Sequence, residues 1–262
     1  MSPDKAVSKR QERREQIRRK EERSRLVMIG LIVVGALFVV VAFIYPQVKP
    51  IVDVVTVTSH ARPNVDRNSM GDPNAPIQIT EFSDFQCPYC KQFFNETEAL
   101  LVQYYIDTGK VYFTYRSAGN WVSSNIARAT GTTLKTESQD AALAAYCAAD
   151  QGKFWEMHDA LFANSRDVED QGSFSDRRLT TIAETVSLDI KTWQDCYDNG
   201  KYEDQVKQDL EDATAAKIEG TPYFIVTYTV NGETKTKSIN GAQPFSTFQV
   251  ELEAILSEIG AQ

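Results

Sequence analysis

Two cysteines stand three residues apart in the segment Cys87–Cys90, which reads Cys-Pro-Tyr-Cys. This spacing suits either a redox-active pair or one half of a zinc site. A structural zinc site needs four ligands, usually as two closely spaced pairs. The other cysteines, Cys147 and Cys196, are each solitary, and the only histidines are His60 and His158. We therefore expect a thiol–disulfide redox pair and no metal ion.

The residues on either side of the pair predict a strand before it and a helix after it. Apolar and polar residues alternate over 77–82, and apolar residues recur at helical spacing over 93–105. The start of a helix presents unpaired N–H groups and about half a positive charge, which favours a thiolate. Cys87 is thus expected to be an exposed nucleophile of lowered pKa, with Pro88 suited to the first turn. Cys90, one turn later, should face inward and resolve a mixed disulfide.

Glu81 shares its strand face with Ile77 and Ile79, which predicts a carboxyl that points into the core below the cysteines. The alternative is that this face lies in solvent on an edge strand. A strand that leads into such a helix is normally covered on both sides, which favours the first interpretation. A buried carboxyl has a raised pKa and could exchange protons with Cys90.

Thr221-Pro222 stands between a helical region and the predicted strand Tyr223–Val230. One interpretation is a simple helix stop after Gly220. The other is a cis peptide bond, which costs only about 0.5–1 kcal/mol before proline. The cis form would leave the backbone of Thr221 facing the sulfurs, free to pair with an extended peptide.

The predicted elements follow the order βαβ, a helical block, then ββα. A second strand is expected at Val111–Tyr115, and the block at about 118–218 begins with a polar stretch, 117–138, that is typical of a loop. Further helices are predicted at 141–149, 154–162, 176–187, 190–198 and 201–217. Asn231-Gly232 predicts a hairpin turn, and a last helix spans about 244–259. This pattern predicts an α/β domain with a helical insertion.

An uncharged segment of twenty residues, Leu26–Tyr45, precedes this domain. As a helix it would span roughly 30 Å, the thickness of the hydrocarbon core of a bilayer. A signal peptide has a shorter apolar core and a small-residue cleavage site, so we favour a retained membrane anchor. The expected organisation is a basic tail at 1–25, the transmembrane helix at 26–45, a linker at 46–75 and the catalytic domain at 76–262.

Charge is distributed unevenly along the chain. Residues 1–25 carry ten Lys/Arg and five Asp/Glu, and residues 46–262 carry a net charge of −13. The excess of basic residues before the apolar segment predicts a cytoplasmic N-terminus and an extracytoplasmic domain. The acidic domain argues against nucleic acid as a partner, because phosphates would be repelled.

Three segments together resemble the DsbA-like branch of the thioredoxin superfamily: Glu81–Cys90, Gly152–Phe162 and Gly220–Phe224. The resemblance runs from about Pro76 to Ile259. It implies a thioredoxin-like fold with a helical insertion. It also implies that Cys87 is the nucleophile, that Cys90 resolves, and that the loop at Thr221-Pro222 docks substrate beside Pro88 and Tyr89. The family glutamate stands six residues before the first cysteine, at the position of Glu81.

The resemblance implies an extracytoplasmic thiol:disulfide oxidoreductase without a cofactor that introduces disulfides into exported, unfolded proteins. A quinone-linked partner in the same lipid bilayer would reoxidise the pair. It also implies a structural bond between Cys147 and Cys196, since such bonds persist outside the cytoplasm. The alternatives are a membrane-tethered reductase or isomerase, and a peptide-binding chaperone without turnover.

Two departures from the family pattern bear on this expectation. The best-known oxidising members carry Pro-His between the cysteines, whereas this chain carries Pro-Tyr, as glutaredoxins do. Loss of the histidine removes one stabiliser of the thiolate and predicts a less oxidising pair, at roughly −230 to −120 mV. The polar stretch 117–138 is the second departure and is expected to reshape the groove beside the site.

Overall fold

The computed structural model of the chain describes residues 3–260. These residues form two compact units, and the boundary in the chain lies between Val52 and Asp53. The first unit consists of helix α1, Pro3–Val48. This helix contains a stretch that is long and apolar enough to cross a membrane. The large apolar side chains between Leu26 and Tyr45 are exposed, as they are in a helix surrounded by lipid.

The second unit is built on a five-stranded sheet with the order β1-β3-β2-β4-β5. The strands are β1 (Ser69–Met70), β2 (Ile77–Ser83), β3 (Val111–Ser117), β4 (Tyr223–Val230) and β5 (Glu233–Asn240). β2 and β3 are parallel, and β4 runs antiparallel to both β2 and β5. β2 lies between β3 and β4, and it is buried on the face of Ile77, Ile79 and Glu81, whereas Gln78 and Thr80 on the other face are half-buried.

Helix α2, residues 88–106, follows β2 and forms the crossover to β3. It is α-helical at Pro88–Phe93 and Ala99–Leu101, with π-helical turns at Phe94–Glu98 and Val102–Ile106. The last helix of the domain, Phe245–Ile259, packs against the same region. Phe93 of α2 lies 4.6 Å from the ring of Phe224 in β4, which in turn lies 4.9 Å from Phe248. This aromatic contact fixes the active-site helix against the sheet.

The helical block between β3 and β4 contains six helices, α3 to α8, and the last helix of the domain is α9. Within the described residues the block has no strand, as expected. Its helices are α3 (Trp121–Thr130), α4 (Glu137–Ala149), α5 (Phe154–Asn164), α6 (Asp176–Thr185), α7 (Ile190–Asp198) and α8 (Glu203–Ala215).

The prediction of a loop over 117–138 is wrong in part, because α3 lies within it. The helix is held by contacts from outside the stretch: the carboxylate of Asp84 accepts a hydrogen bond from the N–H of Val122 at 3.0 Å. Ser123 is fully buried, and Gly131 ends the helix with the left-handed φ of 68° that glycine adopts without strain. The helix therefore depends on tertiary contacts that a polar local sequence does not reveal.

Residues 53–62, here termed the strap, lie against the domain instead of extending away from it. The backbone N–H of Val55 donates to Asn164 Oδ1 at 2.8 Å, and Asn164 Nδ2 donates to the carbonyl of Val55 at 2.9 Å. Asp53 forms ion pairs with Arg166 at 2.9 Å and with Arg178 at 2.5 Å. The segment that follows α1 is thus docked on α5 and α6 before the first strand begins.

Candidate active site

Both cysteines of the Cys-Pro-Tyr-Cys segment lie at the start of α2 as free thiols. Cys87 is the N-cap residue with extended backbone angles, and Pro88 occupies the first turn. The proline suits this position because the first helical N–H groups have no partner within the helix. Cys90 falls one turn later and is completely buried, as its inward-facing position predicts.

The prediction that Cys87 is exposed is wrong, since only 5% of the residue is accessible. The thiol donates a hydrogen bond to the carbonyl oxygen of Thr221 at 3.2 Å, so the loop before β4 covers the sulfur. The Thr221-Pro222 bond is cis, and the Pro222 carbonyl accepts from the N–H of Gly241 at 2.9 Å. By contrast, Tyr89 between the two cysteines is 63% exposed.

The two thiols differ in acidity. Hydrogen bonding with Cys90 outweighs the effect of burial and lowers the pKa of Cys87 to about 7. Burial raises the pKa of Cys90 well above the usual thiol value, and its contact with Cys87 raises it further. The thiolate is the nucleophile in disulfide exchange. This arrangement can therefore supply one reactive sulfur, Cys87, and one protected sulfur, Cys90.

Glu81 lies in the core of the sheet, between Tyr115 of β3 and Phe224 of β4 in the strand register, and it is 1% exposed. Burial, followed by the nearby Glu98 carboxylate, raises the pKa of Glu81 to about 8. Within residues 3–260 its Oε2 has no hydrogen-bond partner, and neither do the hydroxyl groups of Ser83 and Tyr115. The carboxyl that was predicted to face the core lies there, and its raised pKa favours the protonated form at neutral pH.

The segment immediately before Cys87 contains two buried polar residues, Asp84 and Gln86, that sequence reasoning missed. Asp84 Oδ1 accepts from the N–H of Gln86 at 2.9 Å, and burial raises the pKa of Asp84 to about 6. Gln86 Nε2 donates to Ser123 Oγ at 2.9 Å and to Asp170 Oδ1 at 3.0 Å. These bonds tie the active-site loop to the helical block. Their only signal in the sequence is two polar side chains directly beside an apolar strand.

A disulfide joins Cys147 of α4 to Cys196 of α7, with the two Cα atoms 5.8 Å apart. Trp193 of α7 is buried and donates from Nε1 to the carbonyl of Ala144 in α4 at 3.0 Å, a second link between the two bridged helices. The bond lies within the helical block, whereas Cys87 and Cys90 lie at the end of the sheet. The four cysteines therefore separate into a bonded pair and a reactive pair.

Comparisons with known proteins place the domain in a family. The thioredoxin family model matches residues 64–242. The Na⁺/H⁺ antiporter NhaA 3 of Salinispora tropica is 32% identical over 162 residues, which cover 62% of this chain and 22% of the antiporter. The chain thus spans about a fifth of the length of that relative. The probable disulfide bond formation protein D of Bacillus cereus is 23% identical over 164 residues, covering 61% of this chain and 69% of that protein.

Solved structures share the fold. The oxidised BdbD of Bacillus subtilis has a TM-score of 0.59 and 22% identity, covering 78% of this chain and all of that chain. The α-DsbA1 of Wolbachia pipientis has a TM-score of 0.61 and 20% identity, covering 76% and 94% of the two chains. The family model covers more than half of this chain. The α/β fold with a helical insertion that the sequence predicts for the chain is confirmed. The chain therefore belongs to the thioredoxin family, and it shares the fold of the BdbD and DsbA structures.

Proposed function

We propose that the chain introduces disulfide bonds into exported proteins by exchange at Cys87 and Cys90. The observation that supports the proposal most directly is that the two sulfurs differ in burial and in pKa. Cys87 has a pKa lowered to about 7 at the start of α2, whereas Cys90 is fully buried with a raised pKa. A sulfur of low pKa is a good leaving group when a resolving thiolate attacks the mixed disulfide.

The reaction begins with the pair oxidised. A substrate thiolate attacks Cys87 Sγ, the Cys87–Cys90 bond breaks, and Cys90 departs with the electron pair. A second substrate thiolate then attacks the substrate sulfur that is bonded to Cys87, and Cys87 departs as a thiolate. Two electrons have moved from two substrate thiols to the cysteine pair, and the substrate holds a new disulfide.

Glu81 is proposed to supply the proton that Cys90 takes up when it departs. Its pKa of about 8 keeps the carboxyl protonated near pH 7, and the raised pKa of Cys90 makes the departing thiolate a strong base. Glu81 lies close enough to Cys90 that, when its carboxyl is charged, it raises the pKa of the Cys90 thiol. In the opposite direction, the same carboxylate would accept the proton of Cys90 before it attacks.

Substrate is proposed to dock on the loop at Thr221 and Pro222, beside Pro88 and Tyr89. Thr221 presents its carbonyl to Cys87 at 3.2 Å, so a peptide that reaches the sulfur also passes this backbone. Tyr89 stands between the two cysteines in the chain, and its exposed side chain offers an aromatic surface to a substrate. Backbone pairing of this kind accepts many sequences, which suits unfolded substrates.

The proposed location is the cell membrane, with the tail at 1–25 in the cytoplasm and the domain outside. The ten basic residues before the apolar stretch of α1 support this orientation by the positive-inside rule. A quinone-linked membrane protein is proposed to reoxidise the pair. Anchoring both proteins in one bilayer raises their effective concentration without new contacts.

The redox state of the pair in its native membrane tests the direction of electron flow. Rapid acidification followed by alkylation should find Cys87 and Cys90 mostly oxidised, because the resting form of an oxidase is the disulfide. Cys147 and Cys196 should be oxidised under every condition and serve as the internal control. A pair found mostly reduced would establish the rival function of a membrane-tethered reductase, which the glutaredoxin-like Pro-Tyr segment allows.

A further inference from the structure

Five ionisable side chains meet beneath α2 and are termed here the charge cluster: Arg62, Glu98, Asp159, His158 and His60. Arg62 Nη2 lies 2.5 Å from Glu98 Oε1 and 2.7 Å from Asp159 Oδ1. His158 Nδ1 lies 2.9 Å from Asp159 Oδ1, and His60 Nε2 lies 3.5 Å from Glu98 Oε1. Every side chain in the cluster except that of His60 is at most 3% exposed.

The members of the charge cluster come from three separate parts of the domain. Glu98 belongs to the active-site helix α2, and Asp159 and His158 belong to α5. Arg62 belongs to the strap, which follows the membrane-anchor helix in the chain. The two carboxylates and a histidine could also hold a metal ion, but the Arg62 guanidinium already lies between both carboxylates. The fixed positive charge of the cluster is therefore supplied by the segment that tethers the domain.

The charge cluster is packed against the redox site. The ring of His158 lies 5.4 Å from that of Tyr115 and 5.7 Å from that of Phe85, two residues before Cys87. Tyr115 is the register neighbour of Glu81. The Glu98 carboxylate also raises the pKa of Glu81, second only to burial. A series of neighbouring side chains thus connects Arg62 with the Glu81 carboxyl.

We propose that Arg62 is a positioning residue of the redox site, which makes the strap a working part of the enzyme. Its guanidinium balances the Glu98 carboxylate and thereby limits the negative potential below Glu81 and Cys90. The proposal rests on the proposed function, because it concerns the step in which Cys90 acts as a thiolate.

Removal of the Arg62 charge has a defined electrostatic consequence. The groups that face Glu98 are then Asp159 and His158 from α5, His60 from the strap and Glu81 from the sheet. Glu98 and Asp159 lose their hydrogen-bonded cation, and the histidines offset them only where they bind a proton. Additional negative charge disfavours a thiolate at Cys90, and a pKa rise of one unit reduces the thiolate fraction about tenfold.

The test uses the full-length chain in detergent and a single turnover with oxidised glutathione. Cys87 first forms a mixed disulfide with glutathione; the Cys90 thiolate then attacks Cys87 Sγ and releases the second glutathione. Two electrons pass from the cysteine pair to one oxidised glutathione, which yields two reduced glutathiones. Arg62→Met is expected to slow the second release about tenfold at pH 7 and to move its pH midpoint upward.

Four further variants separate the charge of Arg62 from its structural role. Arg62→Met/Glu98→Gln removes one charge of each sign and should restore release to within about twofold of the unmodified chain. Glu98→Gln alone keeps Arg62 and should move the pH midpoint downward. Arg166→Met breaks the exposed ion pair with Asp53 elsewhere on the strap and should leave release unchanged. Glu81→Gln removes the intervening carboxyl and should slow release further, by about 10².

Release within twofold of the unmodified chain in Arg62→Met, with the same pH profile, would overturn the proposal. So would equal slowing by Arg166→Met, because that would show that docking of the strap matters and the cation does not. If Arg62→Met fails to fold, an unshifted pH midpoint in Glu98→Gln overturns the proposal instead. Failure of the unmodified chain to exchange with glutathione would refute the proposed function itself.

Discussion

Replacing Cys87 with serine is expected to reduce thiol–disulfide exchange to the rate of the protein-free reaction. Serine cannot form the mixed disulfide, and Cys90 cannot take over because it is completely buried and has a raised pKa. The remaining cysteines, Cys147 and Cys196, are already bonded to each other. No other free thiol of the chain can therefore replace the lost sulfur. The measurement is the oxidation rate of a reduced, unfolded protein in a glutathione buffer.

The Cys90→Ser variant is the matched control for this loss, because it keeps the reactive sulfur and removes the resolving one. It should form a mixed disulfide at Cys87 and hold it, which mass spectrometry detects as a covalent adduct. A Cys87→Ser variant that retains the function of the unmodified chain would instead favour a peptide-binding chaperone without turnover. Equal behaviour of the two variants would contradict the separate roles assigned to the two cysteines.

Removal of the Cys147–Cys196 bond is expected to have the largest effect on stability. The cysteines are 49 residues apart, and closing a loop of that length restricts the unfolded chain by about 4 kcal/mol of free energy in the entropic model. In a domain of this size, that loss lowers the melting temperature by about 8–16 °C. The Cys147→Ala/Cys196→Ala variant, followed by thermal unfolding, measures this change.

The same variant should retain thiol–disulfide exchange at temperatures where it remains folded, because the bond lies in α4 and α7, away from Cys87. Reduction of the bond in the unmodified chain should produce a similar drop in melting temperature. A drop of less than about 2 °C in both experiments would contradict the assigned structural role.

Much of the fold follows from local sequence patterns. The predicted helix at 190–198 has the bounds of α7, and the predicted hairpin at Asn231-Gly232 joins β4 to β5. The residue types at their ends are enough to predict these two elements. The helix has an N-cap, Asp189, whose side chain accepts a hydrogen bond from the N–H of Thr192. The hairpin turn has a positive φ at both central residues, which Asn and Gly adopt readily. Helix α3 escaped prediction because its stability comes from Asp84 and from burial of Ser123.

The candidate site was predictable to the extent that one short segment encodes it. The spacing of Cys87 and Cys90, the alternation that buries Glu81 and the proline at 222 are all local features. The accessibility of Cys87 was not predictable, because the covering carbonyl of Thr221 comes from 134 residues away. Arg62 was also missed, since a basic residue in a polar segment has no local feature that predicts burial between two carboxylates.

The acidity of Cys87 tests the central claim most directly. The rate of alkylation of the reduced chain, measured against pH, follows the thiolate of Cys87 because Cys90 is buried and Cys147 is bonded to Cys196. The pKa of Cys87 is lowered to about 7, so the alkylation rate should reach half of its maximum near pH 7 and level off well above that pH. A midpoint near 8.5, the value of an ordinary free thiol, would contradict the account.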